Sequence, residues 1–265
     1  MDLLGGVYTS LAIRVPPYFL PTAMLALLLG ATLPAQPVPL HRSPAQGPGA
    51  PYPAAILVHG GDFTSGSRDN PSTRRMASLL SQAGVAVYSI DYRLAPAHPF
   101  PAAVDDVVAV THWVRTHALS HSIAPRRIVL IGEGAGAYIV SMAITRGAPA
   151  AAAISIAGWS DFRNQPLIPN LAAFLAATPI ETAAPAMHLS GKEPPFLLIH
   201  GDADTTIPLS QSLHLQSALQ ALRVPCSLLI IEGGGHDPLA WERLPNPRPW
   251  EREMLMWLQK VLKGK

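Results

Sequence analysis

Six short runs rich in apolar and β-branched residues follow one another between Ala54 and Gly233, and most are separated by a segment of helical periodicity. They are "AAILVHGG" (Ala54 to Gly61), "VAVYSIDYR" (Val85 to Arg93), "RIVLIG" (Arg127 to Gly132), "AAAISIAG" (Ala151 to Gly158), "PFLLIHG" (Pro195 to Gly201) and "CSLLIIEG" (Cys226 to Gly233). Runs that are apolar nearly throughout are strands covered on both faces. Helices are predicted over Thr73 to Ala83, Ala102 to His117, Ala135 to Arg146, Ser210 to Leu222 and Trp250 to Leu262, with an irregular proline-containing stretch up to Glu193. Strands joined by helices in this way predict an α/β fold, a mainly parallel sheet with helices on both faces. Ligand chemistry in such a sheet gathers beyond the carboxyl ends of the strands. His59, Gly134, Asp204 and His236 each fall just past the end of a different predicted strand, which makes that edge the expected site.

Composition narrows the partners. The 265 residues hold 19 Lys+Arg against 17 Asp+Glu, a formal charge of +2, with no basic tract interleaved with aromatics, which argues against nucleic acid. With 49% hydrophobic and 14% charged residues the chain has ample material for a core. The single cysteine, Cys226, can form no internal disulfide and reads as a buried small hydrophobe. No charged residue occurs from Val15 to Leu40, and "AMLALLLGA" (Ala23 to Ala31) lies within that stretch, with Arg14 ahead of it and Ala31 or Ala35 as cleavage positions. Residues 1–35 are therefore expected to be a secretory signal, giving a secreted or periplasmic protein, or else an uncleaved anchor, the one case in which a membrane is a partner. Residues 36–53, rich in proline and glycine, read as a linker, and residues 54–265 as the folded domain.

The stretch "LIGEGAGAY" (Leu130 to Tyr138) carries the main functional question. A strand runs into a glycine-rich turn and then a helix, the setting in which acyl-transfer enzymes place a nucleophilic serine, and Gly134 stands at its centre. Such chemistry also needs a histidine base, a carboxylate that orients it and backbone N–H groups for the oxyanion. The order Gly134, Asp204, His236 is the nucleophile, acid, base order of a strand-to-helix elbow enzyme, with the first member lacking a reactive atom. Ser141 is about 10 Å further along the helix axis. Thr64 and Ser65 have no evident base, and no metal-ligand cluster or phosphate loop is present, so no cofactor or metal is expected.

Five stretches, "YPAAILVHGGDF", "YSIDYRLAPAHPFPAAVDDV", "GEGAGAY", "PPFLLIHGDADTTIPLSQS" and "IIEGGGH", together span most of Tyr52 to His236. With these motifs in this order the chain resembles the α/β-hydrolase superfamily, and within it the acetyl-xylan and feruloyl esterases and the hormone-sensitive-lipase-like carboxylesterases. The resemblance implies an esterase site for short-chain, acetyl or aryl esters, or a pocket for a small apolar ligand. It implies an oxyanion hole from the N–H groups of Gly60, Gly61 and Ala135, Asp204 rather than Asp202 as the acid, and His236 as the base. Glu133 and Asp105 are expected to be structural. Three departures stand out: Asp62 in place of a third glycine after His59-Gly60-Gly61, a leader and linker in place of the family's first strands, and Gly134 in place of serine. Glycine accepts the strained elbow conformation readily, so the fold is expected to survive while catalysis is absent or strongly impaired. Three readings of Gly134 are open at this point: an esterase relative that has lost its nucleophile, a ligand-binding module, or an ordinary esterase whose serine was altered.

Overall fold

The computed structural model describes residues 39–47, 49–163 and 167–263. The expected leader, with Ala31 and Ala35, lies outside the described residues. Seven strands form one sheet: β1 (Leu40–Ser43), β2 (Tyr52–Val58), β3 (Ala86–Ile90), β4 (Ile123–Glu133), β5 (Ala152–Ile156), β6 (Phe196–Gly201) and β7 (Cys226–Ile231). Their order across the sheet is β1-β3-β2-β4-β5-β6-β7, every neighbouring pair parallel except β1 with β3. Six helices connect or flank them: α1 (Pro71–Gln82), α2 (Ala102–Thr116), α3 (Ala135–Thr145), α4 (Pro169–Leu175), α5 (Ser210–Ala221) and α6 (Trp250–Leu262).

Both faces of the sheet are apolar because successive side chains of each strand point opposite ways. Ala54, Ile56 and Val58 of β2 join a core with Val104, Val107 and Val110 of α2 and Tyr138 of α3. Ala55 and Leu57, on the other face, join Met76 and Leu80 of α1 and Met254 and Leu258 of α6. Buried apolar area contributes about 25 cal/mol per Å², so covering both faces is the main force that holds the helices in place.

Three expectations need correction. The stretch read as a linker supplies β1, which pairs antiparallel through Leu40–Ile90 to Ser43–Val87. Edge pairing of this kind satisfies one side of β3 and requires only alternating backbone groups, which a short run between prolines can provide. The irregular stretch before β6 holds helix α4 and two short 3₁₀ turns, Ile180–Ala183 and Pro185–Met187. Cys226 is half-buried on the edge strand β7, where desolvation pushes its thiol up to about 12. No helix among the described residues is long and apolar enough to cross a membrane.

Candidate active site

The elbow is built by three glycines with different duties. Gly134 joins β4 to α3 at φ +54°, ψ −116°, a backbone region that L side chains enter only under constraint. Gly132 and Gly136 are there for clearance: a Cβ on Gly132 would stand 2.2 Å from the carbonyl oxygen of Gly136, and one on Gly136 would stand 2.1 Å from that of Val58. Helix α3 can therefore start directly against β2 and β4, and the Gly134 N–H is held by the Ile156 carbonyl at 2.9 Å. A Cβ on Gly134 has room. It would lie 3.4 Å from His236 Nε2, an ordinary contact and the nearest it would make.

His236 is carried by the loop after β7, which is fastened to the end of β6. A Cβ on Gly201 would lie 2.0 Å from the Gly234 oxygen, so only glycine permits this approach. Ala203 N–H donates to that same oxygen at 2.9 Å. Trp241, fully buried, donates its indole N–H to the Gly235 carbonyl at 2.8 Å and anchors the residue just before His236. Asp202 accepts from the Gly233 N–H at 2.7 Å, a bond that closes the turn. The carboxylate that meets His236 is that of Asp204, at 2.8 Å from Nδ1.

Asp204 is buried and fully engaged. One oxygen accepts the N–H groups of Thr206 and Ile207 at 2.8 and 2.9 Å; the other faces His236 Nδ1 and, at 3.3 Å, His200 Nε2. Burial lowers the pKa of His200, which favours its neutral form. Both partners of its Nε2, the Ile207 carbonyl and the Asp204 carboxylate, can only accept, so Nε2 carries the proton and Nδ1 accepts from the Ser212 hydroxyl. His236 Nδ1 faces the same carboxylate, which can only accept, so Nδ1 carries a proton and Nε2 is the nitrogen turned toward position 134. Its side chain is 32% exposed, whereas that of Asp204 is wholly buried. His200 was not singled out from sequence, although a histidine inside an apolar strand four residues before Asp204 was a usable signal.

The loop after β2 holds Gly60 and Gly61. Among the described residues no backbone hydrogen bond uses the N–H of Gly60, Gly61 or Ala135. His59 does not join His236: it is buried, stacked on Tyr92 with ring centroids 4.3 Å apart, and its Nδ1 lies 2.6 Å from the Gly60 carbonyl, so it frames the loop. Asp62 and Phe63 both adopt positive φ, +51° and +68°. Phe63 is buried in an aromatic cluster, stacked on Phe174 at 4.0 Å, and Asp62 is exposed. A cavity of about 270 Å³ opens beside these two residues and beside Thr205 and Thr206, which follow Asp204.

Ser141, Ser65, Glu133 and Asp105 have structural partners. Ser141 donates to the Ala137 carbonyl inside α3, and Ser65 to the Gly61 carbonyl. Glu133 accepts from the Ser72 hydroxyl at the start of α1, and burial raises its pKa. Asp105 pairs with Arg146 at 2.7 Å.

Comparison with known proteins agrees with this architecture. A family model described as "alpha/beta hydrolase fold" matches residues 55–170, and one described as BD-FAE matches residues 170–219. The chain is 28% identical over 218 residues to Esterase LipC of Mycobacterium tuberculosis, covering 71% of this chain and 54% of the relative. It is 38% identical over 98 residues to Esterase LipI of the same organism, covering 37% of this chain and 30% of the relative. The chain thus spans about half or less of the length of these relatives. An acetyl ester-xyloside bifunctional hydrolase from Caldicellulosiruptor lactoaceticus superimposes with a TM-score of 0.75 at 22% identity, covering 86% of this chain and 90% of that one, a likeness of fold.

Proposed function

We propose, for a chain that belongs to the esterase/lipase type of α/β-hydrolases, that it is a carboxylic-ester-binding protein whose own hydrolysis is largely silenced at residue 134. The observation that carries this reading is the 3.4 Å from a Cβ at Gly134 to His236 Nε2, with Nδ1 of the same ring on Asp204. A base oriented by a buried carboxylate, aimed at an elbow position with space for a hydroxymethyl group, is the arrangement that serine-dependent acyl transfer uses. With serine at 134, His236 would take the hydroxyl proton, the alkoxide would attack the ester carbonyl, and the N–H groups of Gly60, Gly61 and Ala135 would receive the oxyanion. His236 would then return the proton to the leaving alcohol. Water would release the acyl group by the same route.

Glycine cannot form the acyl-enzyme. In a protease of like mechanism, removing the serine lowers kcat by about 10⁶ and leaves roughly 10³ to 10⁴ over water, from the oxyanion hole and substrate binding. The residual route open to this chain is general-base activation of water by His236, which is slow. Short acyl esters are the first substrates to try, since the fold neighbour from Caldicellulosiruptor lactoaceticus is an acetyl ester-xyloside bifunctional hydrolase.

The test pairs a short-chain aryl acetate with a fluorophosphonate probe, on the unmodified protein and on Gly134→Ser. Slow or no turnover and no labelling in the first, with both appearing in the second, is the expected result. Turnover at ordinary esterase rates by the unmodified protein would refute the silencing. A second reading, a ligand-binding module with no tie to ester chemistry, is favoured by the cavity of about 270 Å³ beside the site. Saturable binding combined with an inert Gly134→Ser would select it.

A further inference from the structure

The cavity beside Asp62 carries a charge pattern that the silenced site does not explain. Its walls combine the apolar Phe63, Trp159 and Leu171 with the neutral polar Asn170, Thr205 and Thr206, and Asp62 is the one charged residue that lines it among those described. No hydrogen bond or ion pair among the described residues uses the Asp62 carboxylate. The nearby Tyr92 phenol is kept neutral, first by burial and then by the Asp62 charge. A lone carboxylate lining a cavity that also has an aromatic wall attracts a positive charge that is itself sheathed in carbon.

We propose that this cavity binds the ammonium end of a cationic ligand, most simply a quaternary or tertiary ammonium on the alcohol or acyl part of an ester. Asp62 supplies the counter-charge and Trp159 an aromatic surface for cation–π contact. Asp62 holds this place because the loop turns there at φ +51°, followed by Phe63 at +68°, whose ring is locked against Phe174, Tyr138 and Phe162. A phenylalanine with positive φ is rare and persists only where packing dictates it. The aromatic cluster thus holds the backbone next to Asp62. Thr205 and Thr206, on the opposite loop, tie the same cavity to Asp204. The inference rests on reading the neighbouring site as an ester site.

Acetylcholine and its neutral carbon isostere 3,3-dimethylbutyl acetate, which have the same shape and acyl group, are the probes. Titration calorimetry on the unmodified protein at low salt is expected to show acetylcholine bound about tenfold more tightly. Asp62→Asn, which keeps a residue tolerant of positive φ, should bring the two within about twofold while leaving the neutral ester unchanged, and added salt should narrow the gap in the unmodified protein. Equal affinities, no binding of either ester, or a preference that survives Asp62→Asn would overturn the proposal. Failure of the ester-site reading registers separately, as an inert and unlabelled Gly134→Ser.

Discussion

The two halves of the site, the pair of loops after β6 and β7 and the elbow after β4, differ in what holds them. In the first, side chains do the holding: Asp204 receives two backbone N–H groups and two imidazoles, and Trp241 ties down Gly235. In the elbow, the backbone keeps its strained turn with no side chain at its centre, because Gly132 and Gly136 let α3 lie against β2 and β4. The elbow's geometry therefore does not depend on a side chain at residue 134. The acid–base half has less tolerance, since both oxygens of the buried Asp204 carboxylate are held by partners that its loss would leave unsatisfied.

The sharpest way to test that contrast is to refill the elbow. Gly134→Ser should raise kcat for a short aryl ester by roughly 10⁴ to 10⁶, measured in steady state with active-site titration by the fluorophosphonate. In that background Asp204→Asn should lower kcat by about 10⁴, because the amide can favour the wrong His236 tautomer; a loss under tenfold would show that the buried carboxylate does not orient the base. Gly136→Ala, which forces a methyl to within 2.1 Å of the Val58 oxygen, should destabilise the fold by about 3 kcal/mol in urea unfolding. Gly134→Ser should cost only about 1–2 kcal/mol in the same assay, since its Cβ meets open contact and only φ is strained. If those two stabilities came out in the reverse order, packing would not be what holds the elbow.

The smallest effect is a pH dependence. Burial depresses the pKa of His200 and of His59 below the value of about 6.5 that an unfolded histidine has. The unfolded chain then binds protons first as pH falls, so stability is fully present above about 6.5 and is lost as pH drops through the folded pKa values. Melting temperature should therefore decline on acidification from neutrality, and His200→Gln should flatten part of that slope whatever it does to the absolute value.

Much of this was legible in the chain. Apolar runs separated by helical segments predicted the parallel sheet, and helix α6 falls on the residues expected for it. Asp204 and His236 were picked out as a pair, and the structure places them 2.8 Å apart. Strand β1 was hidden because an edge strand need bury only part of one face, so its sequence, "LHRS", shows little of the apolar pattern. His200 and Trp241 lie only four and six residues from the groups they hold, Asp204 and Gly235, but what matters is the direction of each side chain, which spacing alone does not record. Cys226 seemed buried from its neighbours, yet an apolar run reads alike on a central strand and on an edge.

By itself the sequence determined the class of fold and the placing of Gly134, Asp204 and His236 just past the ends of strands, because these depend on periodicity and glycine placement. The tertiary structure decided which carboxylate meets His236, which nitrogen of that ring is left free, and that the space at residue 134 would admit a serine. It also decided that the Asp62 carboxylate stands beside an aromatic cavity. These are matters of distance between segments far apart in the chain, fixed by how β2, β4, β6 and β7 end along one edge of the sheet.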